Sequence, residues 1–252
     1  MRGIGAYDPD FRSIDRHHQR YIVNEEIKSG ALYIVPTPIG NLGDITLRAL
    51  HVLGGVDLIA AEDTRTTKFL LDHYKIQKPL LSFFSQNEHI RVPQIIDRLT
   101  EGKSVALVSD AGTPGISDPA YSIINAAIDS GITIIPLPGA TAFIPALVAS
   151  GFSTHSFVFE GFLPHKKGRK TKLEKLKDES RTIVLYESPH RIVRTLQELH
   201  DALGDRKAVV GRELTKKFEE IRRGTLLELC QYFSSGTVKG EFVVIVEGSL
   251  KK

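Results

Sequence analysis

Short apolar runs alternate with amphipathic stretches along most of the chain. Apolar runs bounded by turn residues occur at 31–35, 56–61, 80–84, 104–109 and 132–137. The stretches between them, such as DITLRALHVL after the first run, place apolar residues at helical spacing. This alternation predicts a doubly wound α/β domain with five parallel strands, because parallel neighbours need crossover helices at about this spacing.

The second half repeats the pattern more loosely. Apolar runs occur in SFVFEGF, RTIVLYES, KAVVGREL and EFVVIVEG, whereas EEIRRG is too charged for a central strand. A mixed sheet is therefore predicted there. Gly and Ser cluster at 150–156, which predicts a boundary between an N-terminal α/β domain at 31–152 and a C-terminal α/β domain at 153–252. Residues 1–30 show no sustained period and are interpreted as an N-terminal extension.

Composition is that of an ordinary globular chain. Of 252 residues, 41% are hydrophobic and 25% are charged. The single cysteine, Cys230, excludes a disulfide framework, and no basic segment leads into an apolar run at the start, so a cytoplasmic protein is expected. The least charged stretch, at 131–151, is interrupted by Pro136, Pro138 and Pro145, which argues against a membrane span.

Positive charge is concentrated in the second half. The whole chain carries a net charge of +3, yet residues 161–181 hold eight Lys or Arg against three Asp or Glu. A solvated helix face with Glu and Lys at helical spacing accounts for this window as well as a polyanionic partner does. A second basic cluster, at 216–223, favours the polyanionic partner.

Glycine, proline, threonine and aspartate follow four of the five predicted strands. The segments are PTPIGNLGD, EDTRTTK, DAGTPGISDP and PGATA. Each alone fits a tight turn between strand and helix. Ligands of open parallel sheets bind beyond the carboxyl ends of the strands, so four such loops at one edge predict a binding site. Glycines allow the backbone to approach a ligand closely, and prolines fix the turns.

Several common chemistries lack their motifs. No G-x-G-x-x-G follows the first strand and no G-x-x-x-x-G-K-[ST] occurs, which disfavours nicotinamide and nucleoside triphosphate chemistry. The nine histidines and one cysteine show no spacing typical of zinc ligands, so no metal is expected. Ser109, Asp110 and His89 lack a G-x-S-x-G elbow, which disfavours a hydrolase.

The segment LVSDAGTPGISDP resembles the signature of the ribosomal RNA small subunit methyltransferase I family, a branch of the tetrapyrrole methylase superfamily. The resemblance covers residues 31–248 and includes PTPIGNLGDITLRAL, AAEDTRTTKFLL, PLPGATA, FEGFLP, YESPHR, GRELTKKFEEIRRGT and KGEFVVIVEG. It implies a non-Rossmann fold of two α/β domains, with S-adenosylmethionine in the cleft between them, typically as a homodimer. The implied reaction is 2′-O-methylation of a cytidine in small-subunit (16S) ribosomal RNA near the decoding site, with an assembled small subunit as the expected partner.

The resemblance also implies which residues bind the cofactor. Residues 110–118 would wrap it, and Tyr186 and Leu214 would approach from the second domain, although Tyr186 fits an ordinary core aromatic equally well. The cofactor candidates are Pro38, Gly40, Asp110, Gly112, Thr113, Ile116, Thr141, Ala142, Tyr186 and Leu214.

Candidate catalytic residues lie in AEDTR, at the same predicted edge. Asp63 is preferred over Glu62 as a proton acceptor, with Arg65 holding a phosphate, although the same run fits a helix N-cap with its own arginine partner. The expected RNA contacts are Lys166, Lys167, Arg169, Lys170, Arg191, Arg212, Lys216 and Lys217.

Two rival functions stay open. One is a precorrin-type C-methyltransferase, whose first loop usually reads G-x-G-P-G-D where this chain has PTPIGNLGD. The other is a non-catalytic RNA-binding protein of ribosome assembly.

Overall fold

A computed structural model describes residues 26–118, 120–236 and 238–249, which form two five-stranded sheets with helices around them. The first half contains, in chain order, β1 (Leu32–Ile34), α1 (Leu47–Gly55), β2 (Leu58–Ala61), α2 (Thr64–His73), β3 (Leu80–Ser82), α3 (Glu88–Thr100), β4 (Val105–Val108), α4 (Tyr121–Asp129), β5 (Ile134–Pro136) and α5 (Phe143–Ser150).

The first sheet is parallel throughout, with strand order β3-β2-β4-β1-β5. This confirms the predicted five parallel strands. Helices cover both faces, so β2 and β4 are buried along their whole length and read as the uninterrupted apolar runs LIAA and VALV. Successive residues alternate between two cores: Tyr33 faces one, and Leu32 and Ile34 face the other.

The second sheet is mixed, as the sequence predicts. The second half contains β6 (Phe157–Phe162), α6 (Arg169–Leu176), β7 (Thr182–Glu187), α7 (Ile192–Leu203), β8 (Lys207–Arg212), β9 (Glu220–Thr225), α8 (Leu226–Ser234) and β10 (Phe242–Val246). The strand order is β6-β7-β10-β8-β9, in which β6 pairs parallel with β7 and the other pairs are antiparallel. The charged EEIRRG segment forms the edge strand β9, where its side chains can remain in water.

Side-chain caps fix where several helices begin. Asp63 accepts a hydrogen bond from the Arg65 N–H at the start of α2. Thr225 and Glu228 form a reciprocal capping box at the start of α8, which the T-x-x-E spacing encodes.

Helix α5 links the two sheets. Its residues Ala146 and Leu147 pack with Val184 and Val209 on one face of the second sheet. The helix that precedes the predicted boundary therefore contributes to the core of the second half. The division at residue 152 stays a prediction.

The predicted extension lies outside the described residues except for 26–30. There the Lys28 N–H donates to the Tyr33 hydroxyl at 2.8 Å, and the Gly30 N–H donates to the Gly102 carbonyl at 3.0 Å. None of the helices in the described ranges is long and apolar enough to cross a membrane.

Candidate active site

Backbone hydrogen bonds join the loops that follow β1 and β4. Thr37 and Gly112 each donate an N–H to the other's carbonyl oxygen at 2.9 Å, and the Thr37 hydroxyl donates to the Ser109 carbonyl at 3.0 Å. Gly112 has a φ of +83°, a conformation that a residue with a Cβ atom rarely adopts. Pro38 and Gly40 follow in the same loop, so these predicted residues lie beside the DAGTPGISDP segment.

The loop after β5 packs against the same segment. The Thr113 hydroxyl donates to the Ala140 carbonyl at 2.9 Å and lies 2.8 Å from the Thr141 hydroxyl. Ala142 occupies the N-cap position of α5, and the Ile116 N–H donates to the Thr113 carbonyl at 3.1 Å. The loops after β1, β4 and β5 thus form one continuous wall at the carboxyl edge of the sheet.

Tyr186 and Leu214 meet this wall from the second half. Tyr186 lies in an aromatic cluster, with its ring centroid 5.2 Å from that of Phe159 and 6.5 Å from that of Phe143. Burial raises the pKa of the Tyr186 phenol to about 12. Leu214 is buried in the apolar cluster that also contains Ile39 from the first loop. Both residues lie where the two halves of the chain meet.

Asp63 is an N-cap paired with its own arginine. Its carboxylate accepts from the Arg65 N–H at 2.8 Å, from Nε at 3.0 Å and from Nη2 at 2.5 Å. These hydrogen bonds hold the pKa of Asp63 well below its ordinary value, at about 2. A carboxylate with so low a pKa is a weak proton acceptor, so this arrangement favours the second interpretation of the AEDTR run.

Three other carboxyl groups lie near Asp63. The Asp110 side chain accepts from the Asp63 N–H at 2.9 Å, and the Asp110 N–H donates to Glu62 at 3.3 Å. Burial raises the pKa of both Glu62 and Asp110. Burial, followed by the charge of Glu62, raises the pKa of Asp118 to about 6. Asp118 is not among the catalytic candidates predicted from the sequence, although it is the second aspartate of the DAGTPGISDP loop.

Five of the eight basic candidates form ion pairs; Lys170 pairs with Glu174 at the surface, and the other four are at least partly buried. Arg169 has only 5% of its side chain exposed, with Nε donating to Glu198 at 2.6 Å and Nη2 donating to Thr195 at 2.6 Å. The structure does not support an RNA contact for Arg169, because its guanidinium is buried and occupied. The other paired candidates are Arg191 with Glu187, Arg212 with Glu220, and Lys216 with Glu213 and Glu241.

Lys170 and the remaining three candidates are exposed. Lys166 and Lys167 lie in the turn before α6, and Lys170 points from the first turn of that helix with 93% of its side chain exposed. Lys217 is exposed after β8, with its Nζ 5.6 Å from the ring centroid of the exposed Phe218. These four lysine side chains are therefore accessible at the surface.

The site has features that suit a ligand with several hydrogen-bonding groups. Gly112 and Gly115 have φ of +83° and +88°, a conformation that lets the backbone turn without a side chain of its own between it and a ligand. The Thr215 hydroxyl is buried yet makes no hydrogen bond within the described part of the chain, and Thr215 has a φ of +67°. A buried unsatisfied hydroxyl on a strained non-glycine residue is typical of a ligand site. Leu214 and Lys216, on either side of it, contact Ile39 and Gly40 of the first loop. These groups fit S-adenosylmethionine.

Comparison with known proteins identifies the family to which this fold belongs. The chain matches the tetrapyrrole (corrin/porphyrin) methylase family over residues 31–230 and belongs to that family. The methyltransferase CobJ has a similar fold, with a TM-score of 0.67 at 20% identity over 89% of this chain and 96% of that one. Uroporphyrin-III C-methyltransferase from Thermus thermophilus, complexed with S-adenyl homocysteine, also has a similar fold. Its TM-score is 0.61 at 16% identity, over 86% of this chain and 97% of that one.

Relatives of higher sequence identity indicate the branch of this family to which the chain belongs. The chain is 51% identical to Ribosomal RNA small subunit methyltransferase I of Synechocystis sp., over 87% of this chain and 80% of the relative. It is 49% identical to the protein of the same name from Bacillus subtilis, over 90% of this chain and 78% of the relative. Within the tetrapyrrole methylases, the chain therefore belongs to the ribosomal RNA small subunit methyltransferase I family. The resemblance identified in the sequence and the prediction of a methyltransferase are confirmed.

Proposed function

We propose that this chain transfers a methyl group from S-adenosylmethionine to the ribose 2′-hydroxyl of a cytidine in 16S ribosomal RNA, near the decoding site. The observation that carries the proposal is identity at about half of the aligned positions, over close to nine tenths of the chain, with proteins named Ribosomal RNA small subunit methyltransferase I. The proposal includes an assembled small subunit as partner, a homodimer as the working form and the cytoplasm as the location.

The joined loops would hold the cofactor. S-adenosylmethionine supplies an electrophilic methyl group when bound. The Thr37–Gly112 bridge and the Thr113–Thr141 contact fix the wall, so the protein need not rearrange on binding. In-line displacement depends on alignment and on exclusion of water, which a fixed wall next to a half-buried aromatic cluster favours. The residues proposed for cofactor contacts are Pro38, Gly40, Asp110, Gly112, Thr113, Ile116, Thr141, Ala142, Tyr186, Leu214 and Thr215.

The proposed proton acceptor is Asp118. A ribose hydroxyl needs to lose its proton during or after attack, and a general base works best when its pKa is close to the working pH. The pKa of Asp118, raised to about 6, meets this condition better than that of Asp63, lowered to about 2. Burial is the larger cause of the raised pKa of Asp118, and the proposed role of Glu62 is to add to it through its negative charge. Arg65, with 89% of its side chain exposed, retains the proposed role of phosphate contact.

The exposed lysines are proposed to bind the RNA backbone. Lys166, Lys167, Lys170 and Lys217 have their ammonium groups in water, so they can exchange counterions for phosphates. Such contacts give affinity without sequence choice, which must then come from the shape of the RNA and from the pocket that takes the target nucleotide.

The experiment offers labelled S-adenosylmethionine with two substrates, small ribosomal subunits that lack this methylation and a mixture of tetrapyrrole precursors. We expect label in the RNA alone. Label in a tetrapyrrole would favour the precorrin-type C-methyltransferase. Absence of cofactor binding in calorimetry would favour the non-catalytic assembly protein.

A further inference from the structure

A cavity lies between the DAGTPGISDP loop and the end of β6. Its volume is about 440 Å³, and it is lined by Ser117 from the loop and by Phe159, Glu160, Gly161 and Phe162 from the strand. Ser117 belongs to the segment 110–118 that is expected to wrap the cofactor, whereas the four residues of the strand are not among the candidates for cofactor, catalysis or RNA contact. Asp118 directly follows Ser117 in the chain.

A β-bulge shapes the wall of the cavity formed by β6. The pairing of β6 with β7 shifts between Phe159 and Gly161, so Glu160 is an extra residue in the strand. Gly161 has a φ of +59°, and a Cβ atom there would lie 3.1 Å from the Ser117 hydroxyl oxygen. The strand and the loop are therefore in close contact at this point. Bulges often lie beside active sites because they redirect the neighbouring side chains.

The bulge leaves Phe162 as a partly open aromatic surface. Phe162 pairs with Tyr186 across the sheet, and their ring centroids are 5.6 Å apart. Tyr186 is in turn held edge-on by Phe159, at 5.2 Å. Phe162 is nevertheless 50% exposed. A ring supported on one side and open on the other is suited to stacking with a nucleobase.

The bulge residue, Glu160, lines the same cavity as Phe162. The Glu160 side chain is only 13% exposed and forms an ion pair with Lys172 from α6. Lys172 therefore holds the carboxylate in place. A fixed carboxylate accepts a hydrogen bond from the exocyclic amine of cytosine, whereas it repels the carbonyl oxygen that uracil carries at the same position.

We propose that this cavity receives the base of the target nucleotide, with the pyrimidine stacked on Phe162 and its exocyclic amine bound by Glu160. The proposal rests on the proposed function. Base and ribose belong to one nucleoside, so a base held here leaves its ribose next to the loop that carries Asp118. An enzyme that acts on a nucleotide within folded RNA must extrude it into such a pocket. The cavity thus supplies the base selection that phosphate contacts lack.

Stacking is tested with Phe162→Ala, Phe162→Tyr and the matched control Phe69→Ala, which removes a phenylalanine that is 67% exposed on α2 and does not line the cavity. We expect Phe162→Ala to lower kcat/KM for small subunits by about 5- to 150-fold, the equivalent of one stacking contact. Phe162→Tyr keeps a ring and should stay within about threefold of the wild type. Calorimetric affinity for S-adenosylmethionine should be unchanged in all three variants.

Base selection is tested with Glu160→Gln, using small subunits that carry either cytidine or uridine at the target position. We expect the wild type to prefer cytidine and the variant to lose most of that preference. Lys172→Met breaks the same ion pair but keeps the carboxylate, so it should retain the preference.

Three results would count against the proposal. Equal kcat/KM values for Phe162→Ala and Phe69→Ala would overturn the stacking role. An unchanged cytidine preference in Glu160→Gln would overturn the role of the carboxylate. If the wild type transfers no methyl group to RNA at all, the proposed function itself fails, and this inference fails with it.

Discussion

The side chain of Lys216 packs over Gly40, and this contact joins the segment after β8 to the loop after β1. A Cβ atom on Gly40 would lie 2.3 Å from Lys216 Cγ, so only glycine leaves room for the lysine. Lys216 Nζ is held at 2.9 Å from both Glu213 and Glu241. The sequence suggests a phosphate contact for this lysine, whereas its surroundings indicate that it positions the cofactor loop.

Lys216 and Lys217 should therefore respond differently to the same substitution. Lys216→Met removes the charge that pairs with Glu213 and Glu241 and holds the lysine over Gly40. We expect cofactor affinity to fall about fivefold, with the salt dependence of RNA binding unchanged. Lys217→Met removes an exposed charge, and the slope of log affinity against log salt should fall by about one, with cofactor affinity unchanged. Calorimetry and RNA binding at several salt concentrations measure both quantities. The same response from both variants would contradict this assignment.

Arg169 and Lys170 form a second contrasting pair, at the start of α6. Arg169→Met leaves Glu198 and Thr195 without their buried partner, so we expect the free energy of unfolding to fall by about 3 kcal/mol. Lys170→Met should leave stability unchanged and weaken RNA binding in a salt-dependent way. Urea unfolding and RNA-binding measurements on the two variants test both expectations. An Arg169→Met protein of normal stability but weak RNA binding would contradict this and would indicate that Arg169 contacts a phosphate.

Asp63 and Glu62 should differ in their effect on the pH dependence of methyl transfer. Asp63→Asn keeps an N-cap residue and removes a carboxylate already paired with Arg65, so the rate should stay within about twofold of the wild type. Glu62→Gln removes a negative charge that raises the pKa of Asp118, so the rate should begin to rise at a lower pH than in the wild type. Rates measured between pH 5 and 8 test both. A large loss of rate in Asp63→Asn alone would reinstate Asp63 as the acceptor.

Asp118 should limit stability while it supports activity. Its pKa in the folded chain, about 6, lies above its ordinary value of 3.8, so the folded state binds the proton more tightly than the unfolded state. The resulting stabilisation is present below about pH 4 and is lost as the pH rises through about 6. Asp118→Asn should therefore be about 1 to 2 kcal/mol more stable than the wild type at pH 8, allowing for partial solvent exposure, and nearly equal to it at low pH.

The same variant should be slower by at least about 100-fold and should lose the rise in rate through pH 6. Urea unfolding at two pH values and a pH–rate profile give the two results. A variant that is destabilised at pH 8, or that keeps the wild-type profile, would contradict the assignment.

The strands and the edge that carries the site could be predicted from the sequence because both depend on local patterns. Parallel strands such as β2 and β4 are apolar throughout, and the loops after them gather at one edge by the geometry of the sheet. The state of individual charges could not be predicted in this way. Arg169 lies in a lysine-rich window, yet its partner Glu198 comes from α7, 29 residues further along the chain.

The raised pKa of Asp118 and the cavity beside Phe162 could not be predicted from the sequence for a similar reason. The pKa of Asp118 depends on burial and on Glu62, which lies on a different loop. The cavity beside Phe162 depends on a shift of pairing between β6 and β7, and the sequence FEGF alone does not reveal which residue bulges. Both features are produced by contacts between distant segments.

The most direct test of the account is nucleoside analysis of small-subunit RNA after methyl transfer from labelled S-adenosylmethionine by the full chain. The account predicts a single labelled nucleoside, 2′-O-methylcytidine, because the site is proposed to align a ribose hydroxyl and to select cytosine. Label on a base carbon or nitrogen, or on the ribose of another nucleoside, would contradict it.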